Sequence, residues 1–515
     1  MAQQLQAYAV SAPGFYGLNT QDSSLDLASG YALVANNAVI DQYGRIGARK
    51  GYTLNHSTPI DSADVKTVAE LITIDGTSYT LVAGNNKLYK LVGSTLTELT
   101  FNGVGTAPTI TDSNWSTAYL NGDIYFYQSG HVPLGFSPAS STTTYYRVDQ
   151  ETGYNGTVQQ ANIVISALGR IWNANTTTDK VTVQWSDIKN PQKFGSGTAG
   201  TLDTTSVWPK GGDTITALAV HNGFLFIFGY RNILIYQGAT SPSSMTLYDT
   251  ISGIGCIARD SVQATETDII FLSETGVRSV MRTIQEKSAP LNDLSKNVRN
   301  DLTTAAVSES DKGKIKSVYN PREAFYAITF PSTNVTYVFD RKQQLQDGSS
   351  RVTTWDLVPK SFCQKADGTM LIGLNAYVGT YTGNLDNTSN YRFSYYTNYA
   401  DLGSPVVTSL LKNILVTVIG GNNQVLTIKW DYDFKSNYVS QNTQIPTYNI
   451  AYYGESEYNY GYEFSSGIVL QVLKAYGSGS GKAIQVGFEV DISGSPLSIQ
   501  KIEMHAKNGK ITNYG

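Results

Sequence analysis

The stretch ITALAVHNGFLFIFGYRNILIYQG, residues 215–238, reads as a strand, a tight turn, a second strand and a looser third. Apolar residues dominate the arms, and His221, Asn222 and Gly223 occupy the turn. Asn-Gly is a strong hairpin signal, because both central turn residues must tolerate positive φ. The same pattern starts at Val68, Trp115 and Asn162 upstream, and at Asp260, Lys314 and Ser361 downstream. Asn121-Gly122-Asp123 ahead of IYFY and Asp367-Gly368 ahead of TMLIG repeat the turn chemistry. Successive starts lie about 45 to 54 residues apart, close to the length of a propeller blade. Stacked hairpins could also build a sandwich or a solenoid, and no WD or kelch signature is visible. The regular spacing selects an all-β fold with a six- or seven-bladed β-propeller over residues 61–388.

Residues 1–60 and 389–515 flank the repeats. The segment SLLKNILVTVIGGNNQVLTIKWDYDF, 409–434, holds two alternating strands around Gly420, Gly421, Asn422 and Asn423. Further strands follow in 467–491 and 498–511, so the tail reads as antiparallel β. Gly477-Ser478-Gly479-Ser480-Gly481 reads as a flexible linker or hairpin tip; Lys482-Ala483 follows it, which no phosphate loop would have. One helix is expected over 290–306, opened by Asn292 or Asp293.

Composition agrees with a β-rich chain of many turns. Charged residues make up only 15% of the 515, and Thr, Ser, Asn, Gly and 35 Tyr fill the gap. Tyr at this level also suits extensive interfaces. The net charge of −4 has no clustered basic run behind it, which argues against stable nucleic-acid binding. Cys256 and Cys363 are too few for a disulfide framework or a multi-Cys metal site, and read as two small buried hydrophobes. The opening MAQQLQAYAVSAPGFYGLNT lacks a charged region and an apolar core, so no secretory signal is expected. No apolar run reaches the length of a membrane span. The Asn-x-Ser/Thr triplets at Asn114, Asn155 and Asn334 read as chance in an Asn- and Thr-rich chain.

No catalytic constellation emerges. His56, His131, His221 and His505 lie far apart, and neither a GxSxG elbow nor a GxxxxGK[ST] loop occurs. Ser273-Glu274-Thr275-Gly276 comes nearest to a sialidase turn, but lacks its Asp and Trp. A pair of glycosidase carboxylates could hide among the 41 Asp and Glu, though nothing points to one. The expectation is a non-enzymatic protein with no cofactor and no metal.

Three stretches carry a family resemblance. GFYGLNTQDSSLDLASGYALVANNAVIDQYGRIGARKGY, 14–52, has a Gly-Leu-Asn opening and a Gly-x-Ile-x-x-Arg-x-Gly-Tyr ending. VQWSDIKNPQKF, 183–194, precedes the hydrophobic hairpin at 215–238, and YYTNYADLGSPVVTSLLKNILVTVIGG, 395–421, leads into a long strand. In this order they resemble the tail nozzle proteins of short-tailed bacteriophages. The resemblance implies a hexameric ring in the virion tail, below an adaptor ring and portal, prolonging the DNA conduit without stable DNA binding. It also implies that the first and last segments form one antiparallel β platform, with tail fibres or spikes as further partners. Membrane insertion by the chain itself is not expected. Arg45, Arg49 and Lys50 are candidate interface residues, read either as a solvated or salt-bridged surface or as a contact with an acidic patch on the adaptor ring. Two other classes fit the same composition: a minor tail or baseplate protein of a long-tailed phage, and an adhesin whose Trp115, Trp172 or Trp208 would stack on sugars.

Overall fold

A computed structural model describes residues 5–209, 211–280, 294–401, 407–447, 450–451, 463–464 and 470–511. The hairpin at 215–238 shows why the chain coils into a ring. Ile215–His221, Phe224–Gly229, Asn232–Gln237 and Thr246–Ser252 form one four-stranded antiparallel sheet. Asn222 and Gly223 make its first turn, at φ 49° and 79°. Side chains alternate faces along a strand, and here both faces are apolar. Leu225 and Ile227 enter a core with Trp172 and Trp185 of the preceding sheet, whereas Phe226 and Phe228 enter one with Phe271 of the next. A sheet apolar on both faces must be covered on both, each such side chain gaining about 2 kcal/mol on burial.

Seven sheets repeat this logic. Their first strands are Thr67–Ile72, Ser116–Leu120, Ile163–Ala167, Ile215–His221, Gln263–Ala264, Lys316–Asn320 and Ser361–Gln364. These strands neighbour one another in order, the fourth meeting the fifth through the turn Arg259–Ser261, and the seventh returns to the first. The molecule therefore contains a closed β-propeller. Six of its blades have at least four strands, and the sheet at 263–279 has three among the described residues. The expected repeat starts fall within about three residues of these inner strands.

Blade seven is completed from the other end of the chain. Tyr52–Leu54 runs antiparallel to Val378–Tyr381, with Tyr52 opposite Tyr381. Residues 52–54 thus belong to the propeller and not to the flanking segment 1–60. The reason is closure: a last blade built only from its own residues would leave an open edge next to the first.

The termini build two further layers. The outer strand of blade six, Ser350–Trp355, continues into Gly17–Leu18, Tyr31–Asn36, Tyr391–Thr397, Ile484–Ile492, Val425–Tyr432 and Val439–Gln444, one unbroken ten-stranded sheet. A second sheet joins Ala38–Ile40, Ile46–Ala48, Leu497–Ile511, Val407–Gly420 and Leu470–Tyr476, with Gln6–Ser11 and Ser480–Gly481 at its sides. Ile414, Val416 and Met504 of this sheet share one core with Trp430 and Phe488 of the other.

Two local expectations change. The strands flanking Gly420-Gly421 do not pair with each other; the turn carries the chain from one sheet to the other. The Gly-Ser run is an ordered crossing and not a flexible linker. Gly477 donates to the Lys412 carbonyl at 2.9 Å, and the Ser478 carbonyl accepts from Trp430 Nε1 at 3.0 Å and Tyr432 OH at 2.6 Å. Glycine is needed there because a Cβ on residue 477 would lie 2.5 Å from Leu411 Cγ. The expected helix appears as Arg299–Ser308 after a 3₁₀ turn at Lys296–Val298, burying Leu302, Ala305 and Ala306. Its proposed caps Asn292 and Asp293 lie outside the described residues.

Candidate functional site

Each inner strand enters the propeller from the same face, so the residues just before and at these entries ring one mouth of the axis. Arg259 and Asp260 sit in a 3₁₀ turn ahead of Gln263–Ala264, Lys316 opens Lys316–Asn320, and Asn114 and Asn162 precede their blades. Residues of three blades meet at the Arg259 guanidinium, and Lys316 brings in a fourth. Its Nε and Nη2 donate to the two Asp260 oxygens at 2.7 and 2.8 Å. Nη1 donates to the Asn162 carbonyl and Oδ1 at 2.7 and 2.9 Å, and Nη2 reaches Asn114 Oδ1 at 3.0 Å. All of its N–H groups are thus engaged.

Lys316 Nζ donates to the same Asn114 Oδ1 at 2.6 Å and to Asp260 Oδ2 at 2.5 Å. Burial alone would raise the Asp260 carboxyl, but Arg259 and Lys316 outweigh it and hold it well below the usual carboxylate range. Burial lowers the Lys316 ammonium, with Asp260 opposing. Behind this knot lies an axial cavity of about 280 Å³ lined from all seven blades, including Thr117, Ile165, Leu218 and Phe362. Towards the other end of the same strands, Glu70 accepts from the Ala366 amide at 2.7 Å and from Ser78 Oγ at 2.6 Å, with Lys365 Nζ at 3.7 Å. The axis of a single propeller is therefore a small polar cavity behind an ionic knot, far too small to pass a duplex whose major groove alone is about 12 Å wide.

The three residues singled out in the sequence sit elsewhere, at the junction of propeller and terminal layers. Arg49 is fully buried. It makes a bidentate pair with Asp386 at 2.7 Å on both arms, donates to Asn37 Oδ1 at 2.8 Å, and lies 4.2 Å from the Tyr391 ring centre. Asp356 approaches at 3.3 Å. Burial lowers the guanidinium, yet the bond to Asp386 and its charge prevail and raise it. Arg49 as an interface residue is thus corrected: a side chain with no exposed surface cannot meet another protein. Arg45 bonds Gln500 Oε1 at 2.7 Å and stacks on Tyr43, and Lys50 pairs with Glu323 at 2.7 Å.

The motif around them has a packing explanation. Ile46 is core, Arg49 anchors the junction, and a Cβ on Gly51 would fall 1.8 Å from the Leu385 carbonyl oxygen. Tyr52 then opens the closing strand of blade seven. The axial knot was missed because its members come from separate repeats. The available signal was a polar residue at the head of several apolar inner strands: Asn114, Asn162, Asp260 and Lys316.

Other candidate groups are inert by burial. Trp115, Trp172 and Trp208 are all buried in the blades, with no face free for a sugar. Burial pushes the Cys256 thiol up to about 11 and the Cys363 thiol up to about 12. Among the described residues no group of His, Cys, Asp or Glu converges as a metal site.

No protein-family model and no curated protein sequence matches the chain. Solved structures similar to it share little sequence. YCF48 bound to D1 peptide is 10% identical with TM-score 0.36, covering 64% of this chain and 95% of that one. A streptogramin B lyase is 13% identical with TM-score 0.29, covering 73% and 97%. The extracellular domain of the putative one-component system BT4673 from B. thetaiotaomicron is 10% identical with TM-score 0.40, covering 90% and 64%.

Proposed function

We propose that the chain is a virion structural protein, the tail nozzle of a short-tailed phage, in which six copies close a ring that prolongs the DNA conduit and performs no reaction. The observation that carries this reading is the two-edged terminal sheet. A closed ring of identical subunits needs heterologous contacts, so one subunit must offer two different complementary surfaces. One edge of that sheet is Leu470–Tyr476, which pairs with Val407–Gly420 only; at the other side Gln6–Ser11 pairs with Leu497–Ile511 only, both among the described residues. On the first edge Leu470, Val472 and Tyr476 are 57%, 60% and 66% exposed, three apolar side chains on one face of one strand. Free strand edges invite pairing with another chain, and contiguous exposed apolar surface marks an interface.

The knotted axis supports the same reading. DNA would pass between six copies, along the ring axis and not through a single propeller. A chain of net charge −4 suits such a conduit, because Lys- and Arg-lined walls would bind phosphates and slow the DNA. Carrying both Leu470→Asp and Val472→Asp should leave the monomer folded and abolish the ring. Negative-stain images and mass photometry of wild type and variant, with and without the tail adaptor protein, provide the test. A wild-type chain that stays monomeric in both conditions, or a variant that still closes hexamers, would overturn the proposal.

A further inference from the structure

Beside the axial knot, on the same face, lies a second cavity of about 260 Å³ in which four lysines meet: Lys66, Lys314, Lys316 and Lys360. They come from the entries to blades one, six and seven, so only the closed ring brings them together. Three carboxylates share the wall, Asp64, Asp112 and Asp311, and one of them is already engaged: Asp112 pairs with Lys66 at 2.6 Å. Asp311 accepts from the Gly313 amide at 2.9 Å. Asp260 answers two cations, Arg259 and Lys316, with one charge. Cavity and knot together thus hold five cationic side chains against four carboxylates. Behind the wall Glu309, which accepts from the Ser332 amide at 3.0 Å, is offset by Lys312, bonded to the Ala306 and Glu309 carbonyls at 2.6 Å.

We infer that this cavity is a binding site for a small oxyanion, a phosphate or carboxylate group held between Lys314, Lys316 and Lys360. Of the four lysines only Lys316 is buried; Lys360 is half-buried and Lys314 exposed, so an anion would enter from solvent and meet the buried ammonium at the cavity floor. Lys316 is buried and uses two of its three N–H groups on Asn114 and Asp260, which leaves one donor. Among the described residues neither Lys314 nor Lys360 has a carboxylate within ion-pair distance. Lysine, a compact point charge, suits an oxyanion presented without fixed orientation. The aspartates set the size: they leave room for one anionic group and repel a polyanion, which separates this site from any general affinity for nucleic acid.

The test is calorimetric titration of the full chain with inorganic phosphate and, separately, with acetate, at low ionic strength. Binding of either tighter than about 1 mM is expected, and acetate against phosphate tells which group the site prefers. Lys360→Gln and Lys314→Gln should each weaken it at least fivefold, whereas Lys87→Gln, on the far strands of blade one, should change nothing. Absence of binding by both anions, or equal loss in the Lys87→Gln control, would overturn the inference.

Discussion

The propeller and the terminal layers are both antiparallel β, yet they are assembled in opposite ways. Apart from the closing strand of blade seven, strands within a blade pair with neighbours close in sequence, as Ile215–His221 does with Phe224–Gly229. In the terminal layers the partners come from the two ends of the chain: Gln6 lies opposite Ala506, Gly17 opposite Val352, and the Tyr8 hydroxyl donates to Asn398 Oδ1 at 2.9 Å. The blades are repeated local units that neighbours stabilise, while the terminal layers exist only when distant segments have met. The two are joined by the Arg49 ion pair and by one continuous sheet through blade six.

The largest expected effect falls on that joint. Arg49→Met leaves Asp386 at the junction without its cation and removes the Tyr391 contact, a loss of about 3–5 kcal/mol for breaking a buried pair. Urea unfolding followed by Trp fluorescence should then separate into two transitions, terminal layers first. A single unshifted transition would mean that the sheet through blade six alone couples the regions.

Next comes Gly477→Ala, where the new methyl meets Leu411 at 2.5 Å, costing about 1–3 kcal/mol by overpacking. Hydrogen exchange should show faster opening in 407–420 and unchanged protection in the blades. Its counterpart in the propeller is Asn222→Ala, which puts alanine at φ 49° for about 1 kcal/mol. Exchange should then rise in blade four alone, and a loss spread over the whole ring would contradict the picture of local units.

The smallest effect is titratable. Burial would raise the Asp347 carboxyl, but the Lys296 bond and the Ser349 donors hold it down at about 2. Its folded value lies below its unfolded one near 3.9, so its contribution is complete above about pH 4 and fades between pH 4 and 2. The pair is part exposed, which limits the contribution to less than about 1 kcal/mol. Asp347→Asn should flatten the acid limb of the stability curve by that amount and leave pH 7 stability within the same margin, as read by thermal melts across the range.

This contrast also explains what could be read from the amino acids alone. Blade positions were legible because Asn121-Gly122 and Asn222-Gly223 announce turns within the pair they join. Blade closure was not, because Tyr52–Leu54 is three residues long and its partner lies more than three hundred residues away. Arg49 stood out in its Gly-rich motif, but nothing near it named Asp386 as its counter-ion. Leu470–Tyr476 and Ile484–Ile492 read as neighbours across a Gly-Ser tip, when the glycines there allow the backbone to cross between sheets against Leu411 and Tyr432. The axial knot draws one or two residues from each of four repeats, a pattern that periodicity does not carry.

The strand Tyr52–Leu54 also sets an order of events in synthesis. It leaves the ribosome early and waits while about three hundred further residues are made before the edge it must cover exists. Until then the growing array has two raw ends, blade one bare on one side and the newest blade bare on the other. An interrupted chain ending anywhere before residue 378 cannot latch, and so would remain visible to proteases as an open arc. Closure of the circle thus reports that synthesis has passed residue 381, before the strands that follow can meet those of the first fifty residues.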